Sequence, residues 1–316
     1  MDYLRFKVAE SFASVDTEEK ARELFWKAKF SGRDFECPRC FHGRFYAFSA
    51  RPEVRRCRQC EKDVRLRAGT ILEHAKKPLL IWAHAMLLMM QDKRGVSAIQ
   101  TMRELGLKSY GTAWRMLHKI RRALRQRDER YLLKGLVELD GASFSREATD
   151  KGENPEKPSP RHEGDDKVLI AVESKEWVDD RGRPKPRAGF AKVRVSRESA
   201  IFAQQFVNAA IAPGTMVNTD GGSAFLSLQG VDAESQVMDG LPDRLDRWLP
   251  WVHRFISNAQ NWVMGTHHGV GVRYLPNYLG EHTYRFNRRH DPDSLFHRAL
   301  TACVLATPVR AWVLCG

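Results

Sequence analysis

Apolar and polar positions alternate with two different periods along this chain, and the change of period divides it. EEKARELFWKAKF, from Glu18, reads as an amphipathic helix that stops at Ser31-Gly32. PLLIWAHAMLLMM, from Pro78, is apolar all round, which predicts a buried helix; at about thirteen residues it is too short to span a bilayer. Residues 77–127 as a whole read as three helices. Beyond them the period falls to two. LVELD, KVLIAVES and AGFAKVRVS read as strands, ESAIFAQQFVNAAI as a helix and GTMVNTD as a further strand. Strand, strand, strand, helix, strand is a mixed α/β pattern. Lys151–Asp166 and Asp179–Arg187, rich in proline, glycine and charge, read as loops.

Charge follows the same division. The 316 residues carry a net +13. In residues 1–135, thirty Lys and Arg face sixteen Asp and Glu, a balance of +14; residues 136–316 balance at −1. The basic part predicts a polyanion-binding region ahead of a nearly neutral body. The N-terminal residues contain no apolar signal segment, so a cytoplasmic protein with reduced cysteines is expected.

Reduced cysteines matter because four of them sit at metal spacing. Cys37 and Cys40 form CPRC; after sixteen intervening residues Cys57 and Cys60 form CRQC. Each short knuckle turns two thiolates toward one point, and a hairpin joins the pairs into a structural Zn2+ site with no open position. Cys303 and Cys315 have no partner motif and read as core or tail residues. Phe45, Tyr46 and Phe48 among arginines suit nucleic-acid contact, and equally the small core of a zinc ribbon.

SAIQTMRELGLKSYGTAWRMLHKIRRALR, residues 97–125, reads as a helix-turn-helix. Ala98, Met102 and Leu105 share one face, Gly106-Leu107-Lys108 makes the turn, and Ala113, Leu117, Ile120 and Leu124 form the second apolar stripe. Ser109 reads as the N-cap. Tyr110, Thr112, Arg115, Lys119, Arg122 and Arg125 fall outside the stripe and are expected to be exposed toward DNA.

Two aspartates end apolar runs and precede glycine: Asp140 in LVELDG and Asp220 in MVNTDGG. Brought together, they could hold divalent metal for phosphoryl chemistry; singly, Asp-Gly is a common turn.

The order of zinc ribbon, RAGTILEHAKKPLLIWAHAM, GTAWRMLHKIR, LVELD, NTDG, VHRFISN, GTHHGV and YRFNRR resembles the bacterial insertion-sequence DDE-type transposases with an ISXO2-like catalytic domain, from about Cys37 to Arg289. The resemblance implies a ribonuclease-H-like catalytic fold, cleavage of transposon ends, joining of 3′-hydroxyls to target DNA, and Mg2+ or Mn2+ as catalytic metal. It also implies Asp140, Asp220 and His253 as the catalytic set, with Glu281 as the alternative third ligand, and Arg285, Arg288 and Arg289 on DNA backbone. One departure stands out: Gln260 occupies a position, seven residues after His253, where the resembled subgroup has lysine.

The expected architecture is therefore α+β and multidomain. It comprises a helical lead-in (1–35), a zinc ribbon (36–70), a helical helix-turn-helix region (71–134), a mixed α/β ribonuclease-H-like domain (135–305) and a tail (306–316). Double-stranded DNA is the expected partner, no membrane is expected, and a homodimer or larger assembly should form on DNA. The alternative is a catalytically decayed transposase or a DNA-binding regulator.

Overall fold

The computed structural model describes residues 13–144, 167–178, 181–196, 199–236 and 248–309. The loop expected at Lys151–Asp166 and the cysteine at 315 lie outside these residues. The chain divides into two compact units. One holds the residues up to Arg127 together with those from His290 onward, and the other is Asp128–Arg289.

The first unit is built from five helices, among the described residues, and a small sheet. Helix α1 (Glu18–Lys29) starts because Thr17 Oγ1 accepts from the Lys20 N–H at 3.2 Å, with Glu18 and Glu19 in the first turn and Lys27 and Lys29 in the last. Glu18 has a second role. Its carboxylate accepts the N–H groups of Leu79 and Leu80 at 2.8 and 2.9 Å. That caps helix α2 (Leu79–Gln91), whose own N-cap position, Pro78, offers no side-chain acceptor. Strands β1 (Phe45–Ala47), β2 (Val54–Cys57) and β3 (Asp63–Arg65) form an antiparallel three-stranded sheet. Arg55 of β2 lies over both Trp26 of α1 and Phe45 of β1, at 4.3 and 4.5 Å, which fastens the sheet to the helix.

Helix α3 (Ala98–Glu104) is capped by Ser97 and ends at Gly106, whose φ of +59° a residue with a Cβ rarely adopts. Leu107 N–H returns to the Met102 carbonyl at 2.9 Å, closing the turn before helix α4 (Tyr110–Asp128). Ala113, Leu117, Ile120 and Leu124 are fully buried. In α3 the fully buried position is Thr101, while Ala98, Met102 and Leu105 are half-buried.

Helix α8 (Leu295–Leu305) belongs to this first unit and packs on α1 and α2. The sequence boundary that assigned residues up to 305 to the catalytic domain is corrected accordingly. The cause is the apolar face of Ala299, Leu300 and Cys303, which finds its cover in helices more than two hundred residues earlier. The Ile71 N–H even reaches the Cys303 carbonyl at 3.4 Å. Among the described residues no helix is long and apolar enough to cross a membrane.

The second unit is a five-stranded mixed sheet. It comprises β4 (Leu136–Ser143), β5 (Lys167–Val178), β6 (Pro184–Ser196), β7 (Met216–Thr219) and β8 (Asp232–Ser235), in the order β6-β5-β4-β7-β8. β4, β5 and β6 pair antiparallel; β7 and β8 join parallel to β4. The two-residue period sorts side chains between two cores. Leu169 and Ala171 of β5 meet helix α5 (Ala200–Ala210) through Phe206 and Val207. Val168, Ile170 and Val172 meet helices α6 (Pro250–His267) and α7 (Leu275–Asn287) through Phe255, Trp262 and Leu279.

Candidate active site and zinc centre

The candidate zinc centre grows from two knuckles of the same shape. Phe41 and Glu61, each directly after the second cysteine of its pair, both adopt positive φ, +57° and +56°. In each knuckle the same backbone bond recurs: Phe41 N–H to the Cys37 carbonyl, and Glu61 N–H to the Cys57 carbonyl. Arg39 and Gln59 N–H groups point at the Cys37 and Cys57 sulfurs, at 3.5 and 3.4 Å. Cys37 Sγ lies 3.5 Å from Cys60 Sγ, Cys40 Sγ lies 3.5 Å from Cys57 Sγ, and all four sulfurs fall within 4.8 Å of one another. Tetrahedral Zn–S bonds of about 2.3 Å set sulfurs about 3.8 Å apart, so the four thiols fit zinc. Among the described residues this is the one group of three or more ligating side chains drawn that tightly together.

The second centre lies on β4, β7 and α6. On β4, Val137 and Leu139 enter the α5-side core, so Glu138 and Asp140 face the α6 side. β7 runs parallel to β4 with Leu139 opposite Thr219. Asp140 and Asp220 are therefore the next residues on neighbouring parallel chains. Gly221 takes the φ of +76° that turns the chain away, and Gly222 N–H donates to Asp220 Oδ1 at 2.9 Å. A Cβ on Gly222 would stand 3.1 Å from that oxygen, so the glycine leaves the carboxylate room.

Helix α6 brings His253 to this edge. His253 Nε2 lies 3.3 Å from Asp140 Oδ2, with both side chains partly accessible. Two contacts pin the start of the helix. Trp248 Nε1–H donates to the Thr219 carbonyl at 2.9 Å, directly before Asp220. The buried Glu138 accepts the Trp251 and Val252 N–H groups at 2.7 and 2.9 Å. Seven residues after His253, and so on the same helical face, Gln260 donates to the Ser143 carbonyl at 2.9 Å. The helix thus runs along β4: Glu138 and Asp140 meet its first turn, and Ser143 meets it two turns later.

Sequence reasoning missed Glu138. It sits inside LVELD, one alternation step before Asp140, and a charged residue on the same inward face as the candidate ligand was its signal. Burial pushes its carboxyl up to about 7, against the opposing pull of the two N–H groups and of His253. Glu138→Ala leaves two buried N–H groups unsatisfied and is expected to cost about 1–3 kcal/mol of stability. Glu138→Gln keeps an acceptor oxygen and should cost far less. Thermal melting of the two variants separates these outcomes, and equal losses would contradict the capping role.

The arginines expected on DNA are engaged within their own unit. Glu281 is fully buried on α7, with Arg285 Nε 3.7 Å away, and Arg285 lies over Trp262. Arg288 donates to both oxygens of Asp128, at 2.7 and 3.1 Å, and stacks on Tyr284 at 3.5 Å. Arg289 donates to the carbonyls of Phe286, Gly189 and Ala188. Burial, then the charge of Arg187, lowers Arg289 to about 10. These three side chains fasten α7 to its neighbours. Breaking a buried pair leaves an uncompensated charge, so Arg288→Ala should lower stability by about 3 kcal/mol. The salt dependence of DNA binding should not change with it; a reduced slope would return Arg288 to phosphate contact.

On α4, Tyr110 and Arg115 are exposed, as the amphipathic pattern predicts. Thr112, Arg122 and Arg125 are half-buried instead. Lys119 donates to the Ile71 carbonyl at 2.9 Å, and burial lowers its pKa, so it anchors α4 within the first unit.

Comparison with known proteins agrees with this second unit. No curated protein and no solved structure matches the chain. Residues 132–287 match the family model of the ISXO2-like transposase domain. The span that matches contains Asp140, Asp220, His253 and Glu138 and nearly all of the five-stranded unit, so this part of the chain is similar to the ISXO2-like transposase domain.

Proposed function

We propose that this chain is a DNA transposase of the DDE type in which histidine takes the third position. It binds insertion-sequence ends, hydrolyses a phosphodiester there, and transfers the freed 3′-hydroxyl to target DNA. The observation that carries the reading is the contact of His253 with Asp140 inside the matched domain, beside the register position of Asp220. The mixed sheet with helices on both faces supports a ribonuclease-H-like fold.

Asp140, Asp220 and His253 would hold Mg2+ or Mn2+. Two carboxylates suit either ion, and imidazole suits manganese better. Bound there, the metal supplies Lewis-acid stabilisation of the attacking and leaving oxygens in an in-line displacement. The chain's own residues do the positioning. Glu138 and the Trp248–Thr219 bond set the start of α6, and Gln260 ties its later turn to Ser143, so that His253 meets Asp140 at a fixed angle. The cysteine ribbon holds zinc, and α3–α4 act as a helix-turn-helix with Tyr110, Thr112 and Arg115 toward the groove. Two ends must be processed together, which calls for a dimer or larger assembly on DNA.

One observation favours the second reading, a decayed transposase that retains DNA binding. Gln260, bound to the Ser143 carbonyl, brings no charge where the resembled subgroup has lysine. An excision and joining assay with the gene's own flanking DNA separates the two. Movement by the unaltered protein supports an active transposase. Binding without movement, restored by Gln260→Lys, identifies a decayed one. Binding that neither protein converts into cleavage identifies a regulator.

A further inference from the structure

β5 and β6 are longer than the sheet they belong to. β4 begins at Leu136, opposite Ser174 of β5, and pairs with no residue of β5 beyond it, yet β5 runs on to Val178 and β6 begins at Pro184. From Lys175 to Val178 and from Pro184 to Pro186 every residue is exposed, on both faces. The pair is a ribbon that leaves the core.

Its base is built. A bulge interrupts the pairing between Val172 and Ser174. There the buried Glu173 accepts the Lys134 and Phe190 N–H groups at 3.1 and 3.0 Å and pairs with Lys175 at 2.8 Å. Gly189 is obligatory at this point, since a Cβ would stand 2.6 Å from Glu173 Oε2. Arg289 grips the carbonyls of Ala188 and Gly189.

The register sorts its charges. Lys175 pairs with Arg187 and Trp177 with Lys185, so these four share one face. Arg183, two residues before Lys185, continues it. Glu176 pairs with Pro186 and Val178 with Pro184, so the acid and both prolines take the other face. One side is thus cations around a tryptophan that is 45% exposed. β6 is also the edge strand, and its two prolines lack the N–H donors that another strand would need. The ribbon is suited to contact by side chains, not to strand addition.

We propose that this ribbon is a duplex-DNA clamp, with Trp177, Arg183, Lys185 and Arg187 as its contact face. A two-stranded ribbon fits the major groove, and cations two residues apart stand about 6.6 Å from one another, close to two base steps of 3.4 Å. Asp140 pairs with Ile170, and Val178 lies eight residues further along β5, about 26 Å of strand. The contact therefore falls several base pairs away from the cut and serves binding, not chemistry. The inference rests on the transposase reading above.

The test uses the full chain and a duplex from the gene's flanking sequence, with affinity measured over a range of salt. Arg183→Ser, Lys185→Ser and Arg187→Ser combined should flatten the plot of log affinity against log salt by about 2.7, at about 0.9 per lost phosphate contact, and weaken binding at least tenfold. Trp177→Ser should weaken binding with the slope kept. Glu176→Gln on the opposite face should not weaken it. Unchanged melting and zinc content guard against misfolding. If the unaltered protein binds and cleaves the duplex while the triple variant matches it, the clamp is wrong and the transposase reading survives. If the triple variant loses affinity for single strands but not for the duplex, the clamp is likewise wrong. If the unaltered protein binds no duplex, both fall.

Discussion

Asp140→Asn is expected to lower strand cleavage by about a thousandfold while leaving DNA binding and melting temperature nearly unchanged. The substitution preserves shape, and an amide oxygen can still accept the Gly141 N–H that meets Asp140 Oδ1 at 2.6 Å. What it removes is the charge that would hold metal against His253 and Asp220. Metal-assisted stabilisation of a phosphoryl transition state is worth several kcal/mol, and about 4 kcal/mol corresponds to about a thousandfold in rate. His253→Ala should fall by a comparable factor. His253→Asp should recover part of the activity and shift preference from Mn2+ toward Mg2+, because a carboxylate is the harder ligand. Glu281→Gln provides the contrast. Its side chain is fully buried beside Arg285, so it should lower stability and leave cleavage per folded molecule intact. Cleavage rates in Mg2+ and Mn2+ for the four variants decide the matter. Loss of cleavage with Glu281→Gln, together with full activity of His253→Ala, would falsify the histidine assignment.

The second large effect concerns zinc. Chelation, or Cys57→Ser, should melt the ribbon while the surrounding helices of the first unit stay folded. The strands of the ribbon are three and four residues long, and its buried apolar content is little more than Phe35, Cys37, Cys57 and Val64. A structural zinc contributes about 10–16 kcal/mol of apparent binding energy, which no rearrangement of so small a core replaces. The helices have their own core, in which Phe25, Trp26, Leu79, Met86 and Leu300 are buried. Amide exchange would therefore rise across residues 36–66 and remain slow in α2. Cys303→Ser should retain zinc, since that buried thiol lies in α8. Zinc content unchanged by Cys57→Ser would refute the cysteine centre.

The legible parts of the molecule share a property: their signals are local. The knuckle spacing, the stripe of Ala113, Leu117, Ile120 and Leu124, and the period-two runs of β4 and β5 each need only a few neighbouring residues to be recognised. Lys119, Arg288 and Arg289 show the opposite case. A cation on a helix reads as surface in one dimension, and its partner, a carbonyl at Ile71, a carboxylate at Asp128 or a carbonyl at Gly189, lies far away in the chain. Asp179–Arg187 reads as a loop in one dimension because proline and charge break strand patterns. Among the described residues there, Pro184–Arg187 pair into β6, an edge strand that tolerates proline.

By itself the sequence determined which residues could do chemistry: four cysteines at zinc spacing, two aspartates each followed by glycine, and one histidine on a helix. It also determined the change from helical to strand periodicity near residue 135. Only the tertiary structure decided which of these residues meet. Parallel pairing of β4 with β7 set Asp140 and Asp220 at neighbouring register positions, and the buried Glu138 capped the first turn of α6, where His253 lies 3.3 Å from Asp140. The reason is physical. Periodicity is set by local backbone geometry, whereas strand pairing and helix capping are made between residues about eighty to over a hundred positions apart, whose partners no local pattern names.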